Sequence, residues 1–192
     1  LYQKIEGNIL ELAVKLAGSL GMRREEICGL KWENVDLQRH LVLIREARTA
    51  YGATIVQKET KNRSSVRTLY LPDEVYLLLE QEQARQQQER CLQSPTYNPT
   101  DHVILDAKGV PYSPNALSLA FTRFVKKNDL PRLTFHGLRH TFATIASCQG
   151  ASLFDIGKAL GHSTPATTGR IYTHLVDRTH EELVQRVSDA LK

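Results

Sequence analysis

The 192 residues are 41% hydrophobic and 24% charged, a balance that excludes a disordered chain and allows one domain with a sizeable core. A net charge of +4 and a pI of about 9.0 fit a nucleic-acid partner without requiring one. The apolar runs are too short to cross a bilayer, the first residues do not form a signal peptide, and Cys28, Cys91 and Cys148 read as free thiols in a reducing compartment.

The chain opens directly into a helical pattern, as a piece of a longer protein would. Ile5, Ile9, Leu12, Ala13, Leu16 and Leu20 recur at helical spacing and predict a core-facing helix over residues 3–20. Gly18 and Gly21 loosen the chain before Met22-Arg23-Arg24-Glu25-Glu26, and Ile27, Leu30 and Trp32 continue a short apolar face. Strands are predicted at 41–44, 54–57 and 66–71. In the last, Val66, Thr68 and Tyr70 face one side and Arg67, Leu69 and Leu71 the other. Residues 58–65 make a polar, basic hairpin tip. Pro72-Asp73 opens a long helix whose Gln86-Gln87-Gln88 run reads as a solvated face, and 94–99 is a loop. A helix over 114–127 turns Leu117, Phe121, Phe124 and Val125 inward, and two more follow at 136–147 and 153–160. Thr179 to Glu182 matches a capping box, and Leu183, Val184, Val187 and Leu191 give the last helix, 179–191, an apolar stripe. The expected fold class is α+β, mainly helical, with a small three-stranded antiparallel sheet.

The chemistry is concentrated in the last third. His136-Gly137-Leu138-Arg139-His140 is followed by Leu160-Gly161-His162 and then Arg170-Ile171-Tyr172. Arginine grips phosphate oxygens through a planar fork, histidine exchanges protons near neutral pH, and a tyrosine hydroxyl can trap a covalent intermediate. The set suggests phosphoryl transfer onto tyrosine. His136 and Arg139, three apart, leave a helix on the same face, so one phosphate can meet both. Arg23 stands at a helix start, where backbone N–H groups favour anions, and Glu26 three residues on can brace its guanidinium. Taken singly, each is an ordinary surface or core group. Other sites fail on spacing. Gly137 stands where an H-E-x-x-H zinc site needs Glu, no Cys is followed six residues later by Arg, and no phosphate-binding G-x-x-x-x-G-K-[ST] loop occurs.

The ordered set of Gly-Met-Arg23-Arg-Glu-Glu26, Thr60-Lys61 before Arg67-Thr-Leu-Tyr-Leu-Pro, His136-Gly-Leu-Arg139-His, Leu-Gly-His162 and Ile-Tyr172 resembles the catalytic domain of tyrosine recombinases, the phage integrase family. The details look most like integrases of phages and conjugative transposons of Gram-positive bacteria. The resemblance spans essentially the whole chain and implies one catalytic domain over 1–192. The N-terminal core-binding and arm-binding domains usual in such proteins are not expected within it.

That resemblance implies roles. Arg23 and Arg139, with His162, would clamp the non-bridging oxygens of a scissile phosphate. His136 would donate to the same oxygens or take the proton of Tyr172, the nucleophile. Lys61 on the hairpin would protonate the leaving 5′-oxygen, with Lys58 as the nearby alternative. The product is a 3′-phosphotyrosine that a second 5′-hydroxyl can reverse, so neither a metal nor a nucleotide cofactor is implied. Lys58, Lys61, Arg63, Arg123, Lys126, Lys127 and Arg132 are the basic groups available for DNA backbone contact. Double-stranded DNA is the expected partner, a homo-tetramer docked through the last helix the expected assembly, and the bacterial cytoplasm the expected location, with no membrane. A DNA-relaxing enzyme of the type IB topoisomerase kind, or an idle DNA-binding relative, are the alternatives.

Overall fold

The computed structural model describes residues 1–51, 54–59, 66–93, 97–162 and 188–189. In chain order it contains α1 (Tyr2–Ile5), α2 (Glu11–Leu20), α3 (Arg24–Gly29), a short 3-10 turn (Trp32–Asn34), β1 (Val35–Asp36), β2 (Leu41–Ile44), β3 (Glu46–Tyr51), β4 (Thr54–Glu59), β5 (Arg67–Tyr70), α4 (Asp73–Gln93), α5 (Pro114–Lys127), α6 (Phe135–Cys148) and α7 (Leu153–Leu160). The protein is mainly helical with small antiparallel sheets, as the sequence predicts.

The first helix differs from expectation. Gly7 takes a positive φ of 71° and splits the predicted helix into α1 and α2. The Asn8 side chain accepts from the Leu10 N–H, and Glu11 accepts from the Gly7 N–H, so the break has its own hydrogen bonds. The shift buries Leu10, at 4% exposure, and leaves Ile9 46% exposed, the reverse of the periodic reading. From α2 onward most buried residues join one main core, while Ala143, Ile156 and Leu160 form a second, smaller cluster between α6 and α7. Leu16, Met22, Ile27, Val42, Ile44, Leu71, Leu79, Leu117, Phe121 and Leu138 are all buried in the main core.

The three-stranded sheet keeps two of the predicted strands, 41–44 as β2 and 66–71 as β5, but its third strand is β1. Its order is β1-β2-β5, with β2 antiparallel to both neighbours. The strand predicted at 54–57 pairs instead with β3 in a separate hairpin. β3 carries Glu46-Ala47-Arg48-Thr49 and lacks the apolar alternation that marks a half-buried strand. It is held by α3, where a side chain on Gly29 would come within 2.9 Å of the Arg48 backbone nitrogen.

The glutamine run on α4 is a second correction. Gln87 and Gln88 are exposed, but Gln86 is 2% exposed. Its Oε1 accepts from Trp32 Nε1 and Asn98 Nδ2, at 2.9 and 2.8 Å. Its Nε2 donates to the Val103 carbonyl and to Glu82. A buried amide with both ends satisfied joins α4 to the 97–105 loop.

α2 packs on α6, α6 on α7 and α7 on β5. The N-termini of α5, α6 and α7 are capped by Ser113, Thr134 and Ser152. This packing brings the start of α3, the first residue of β5, the first turns of α6 and the end of α7 together. Among the described residues no helix is long and apolar enough to cross a membrane.

Candidate active site

α7 ends at Gly161, which takes the left-handed conformation at φ 64°. The last carbonyls of a helix have no partner within it and carry the negative end of its dipole. Here three consecutive ones receive three different arginines. Arg67 Nε donates to the Ala159 carbonyl at 2.7 Å, Arg139 Nη2 to Leu160 at 2.7 Å, and Arg23 Nη2 to Gly161 at 2.9 Å. A side chain at 161 is doubly excluded, since its Cβ would lie 2.8 Å from Arg67 Nη1.

Glu26 ties the arginines to one another. It lies three residues after Arg23, the N-cap of α3, and its Oε2 accepts the Arg23 backbone N–H at 2.8 Å. Its Oε1 accepts from Arg23 Nη1 at 2.8 Å. Arg67 then meets both oxygens with both Nη atoms, at 2.9 and 2.8 Å. Burial pushes the Glu26 carboxyl up, but the hydrogen bonds and charge of Arg67, followed by Arg23, outweigh it and hold the group below the usual carboxylate range. Arg139 is buried and has a second anchor, the Gly21 carbonyl at 2.6 Å. Three guanidiniums against one carboxylate leave an excess of positive charge.

His162 follows directly, its backbone N–H bonded to the Gly157 carbonyl. Burial, then the charges of Arg139, Arg23 and Arg67 and the nearby His140, lower its pKa to about 4. The imidazole is therefore neutral at pH 7. On α6, His136 is exposed, and its Nε2 lies 2.8 Å from Nε2 of His140, the rings meeting edge to face. One ring donates to the other, so the pair shares a single bridging proton. Burial, then His136 and Arg139, lower the pKa of His140.

The structure thus brings together Arg23, Glu26, Arg139 and His162, with His140 linking His136 to the group. Lys61, Arg63, Tyr172 and, apart from 188–189, the last helix, 179–191, lie outside the described residues. So does the side chain of Lys58, whose backbone pairs with Ala47 in the β3–β4 hairpin. Arg123, Lys126 and Lys127 are exposed on α5, and Arg132 is exposed just after it. Among the described residues no three His, Cys, Asp or Glu side chains converge as metal ligands.

Sequence reasoning missed Arg67 and His140 as members of the site. For Arg67 a signal existed, since it shares the inward side of a strand with Leu69 and Leu71, and a buried arginine needs an ionised partner. For His140 the four-residue spacing from His136 was visible, but it pointed only to a metal motif that fails.

Residues 4–179 match the phage integrase family. The chain is 25% identical over 201 residues to the tyrosine recombinase XerC-like protein of Caldanaerobacter subterraneus subsp. tengcongensis, covering 97% of this chain and 51% of that protein. It is 25% identical over 171 residues to the ICEBs1 integrase of Bacillus subtilis, covering 89% of this chain and 46% of that one. It spans about half the length of these relatives. Among solved structures, the Tn1549 transposon integrase in complex with transposon right end DNA shares its fold, with a TM-score of 0.78 at 24% identity over 95% of this chain and 62% of the other.

Proposed function

The chain belongs to the phage integrase family, and we propose that it is the catalytic domain of a site-specific recombinase that cuts and rejoins double-stranded DNA through a 3′-phosphotyrosine. One observation carries the reading: Arg23 and Arg139 converge on the end of α7 beside a neutral His162, all three held by backbone carbonyls or turns. In-line attack on a phosphodiester builds charge on its non-bridging oxygens. A preorganised pair of guanidiniums meets that charge without reorganising, and neutral His162 adds an N–H donor without adding repulsion inside the clamp.

The remaining steps rest on sequence position. Tyr172 Oη bonds to phosphorus as the bond from phosphorus to the 5′-oxygen breaks. The tyrosine proton passes to His136, and Lys61 supplies one to the leaving 5′-oxygen. One phosphoester replaces another, so a second 5′-hydroxyl reverses the step without ATP. Arg123, Lys126, Lys127 and Arg132, with Lys58 and Arg63, neutralise backbone phosphates. Recombination joins two duplexes, which asks for four copies. The apolar stripe of 179–191 suits docking on a neighbouring subunit, and the site of action is bacterial cytoplasmic DNA.

The test is a DNA duplex nicked beside the cleavage site, which traps the cut state because the short 5′ fragment diffuses away. The chain should form an adduct that survives denaturation, and Tyr172→Phe should form none. No adduct from the unaltered chain, or an adduct in the variant, contradicts the reading.

A further inference from the structure

We propose that Arg67 is a positioning residue for strand cleavage: through Glu26 it holds the guanidinium of Arg23 at the scissile phosphate, and through Ala159 it registers that guanidinium against the turn carrying His162. The proposal rests on the recombinase reading above. Side-chain exposure separates the two arginines. That of Arg23 is 34% exposed, within reach of a phosphate, whereas that of Arg67 is 6% exposed. Both terminal nitrogens of Arg67 are turned onto Glu26, so it acts on Arg23 through that carboxylate.

The wiring is specific to a planar fork. Nε is spent on Ala159 and the two Nη atoms on the two oxygens of Glu26, a set of three directed bonds that a lysine ammonium does not reproduce. Glu26 in turn holds Arg23 twice, by backbone and by side chain. If only Arg23 faced this carboxylate, its charge would be matched one for one. With Arg67 sharing the carboxylate, Arg23 keeps positive charge for the phosphate. The backbone is shaped to the same end, because Gly161 leaves open the space that a Cβ would take from Arg67 Nη1.

A substrate change separates positioning from plain support of the fold. A methylphosphonate at the scissile position replaces one non-bridging oxygen with methyl and carries no charge, so it needs the clamp less. Single-turnover cleavage is measured on both substrates and referred to the folded fraction. Arg23→Ala sets the reference pattern, a loss of roughly 10²–10³-fold on the phosphodiester and far less on the methylphosphonate. Arg67→Met should follow it, losing about 10- to 100-fold on the phosphodiester with little change in DNA affinity, and within roughly threefold on the methylphosphonate. Arg67→Lys, which keeps the buried charge but not the fork, should shift the ratio the same way and serves where Arg67→Met does not fold. Equal losses on the two substrates, or no loss on either, overturn the proposal. If the unaltered chain forms no adduct at Tyr172, the recombinase reading fails. If it does and the substrate ratio is unchanged in the variants, only the role of Arg67 fails.

Discussion

Arg67 and Glu26 meet fork to fork inside the protein, at 2.9 and 2.8 Å, with 8% and 2% of the two residues exposed. Breaking such a pair strands a buried charge. Glu26→Ala should lower stability by about 3–5 kcal/mol in urea unfolding. The sign with pH follows from the lowered pKa of Glu26. Its contribution is complete above the unfolded carboxylate value of about 4.3 and is lost as pH falls through the lower folded value. The stability gap between the unaltered chain and Glu26→Gln should therefore narrow on acidification below that value. A gap that stays constant down to the acid transition would contradict it.

His162 gives a second pH signature. Its pKa of about 4 lies below the ordinary histidine value of about 6.5, so the unfolded chain takes up the proton first. The neutral ring favours the folded state above that ordinary value, and the advantage fades as pH falls toward about 4. NMR of the imidazole carbons should find His162 uncharged at pH 6. His102, also held at about 4 by burial, then by Arg48 and Lys31, shares the window, so His162→Gln is needed to assign the signal. Addition of cognate DNA should raise the His162 midpoint, because a phosphate offsets the arginine charges. An ordinary midpoint in the free protein would contradict this account of the clamp.

Two glycines separate backbone strain from crowding at the site. Gly150 and Gly161 have φ of 85° and 64°, and a Cβ on Gly150 meets open space among the described residues. Both alanine variants should lose about 1–2 kcal/mol from the left-handed backbone. Gly161→Ala also drives a methyl into Arg67, so only it should further lose stability and strand cleavage. Equal behaviour in melting and cleavage assays would remove the crowding argument.

The glutamines of α4 offer a third contrast. Gln86→Ala leaves Trp32 Nε1 and Asn98 Nδ2 without their shared acceptor, and should cost at least about 1–3 kcal/mol. Gln87→Ala, on the exposed side, should stay within about 0.5 kcal/mol of the unaltered chain. Similar melting curves for the two would mean that the buried amide is dispensable.

These residues also mark where the sequence could be read. Helices α5, α6 and α7 were legible in the sequence at close to their observed bounds, and the structure adds the polar caps Ser113, Thr134 and Ser152. The alternation in β5 was legible too, with Arg67 and Leu69 inward and Thr68 and Tyr70 outward. Other features depend on tertiary partners that no local pattern encodes. Gln86 is buried because Trp32, Asn98 and Val103 surround it, and β3 forms because α3 supports it. Ile5, Leu12, Ala13, Leu16 and Leu20 are buried as their spacing predicts, but at the break Leu10 replaces Ile9 in the core, because the freedom of Gly7 at positive φ leaves no mark in hydrophobic periodicity. At the site, motif order picked out Arg23, Glu26, Arg139 and His162. The three carbonyls that align the arginines were invisible, since backbone groups have no letter in the sequence.

The most direct measurement is peptide mapping of the trapped protein–DNA adduct after nuclease digestion. The account predicts that the remaining nucleotide is joined through its 3′-phosphate to the peptide containing Tyr172, and that the other DNA fragment ends in a free 5′-hydroxyl. Attachment through a 5′-phosphate, or at any residue other than Tyr172, would contradict it.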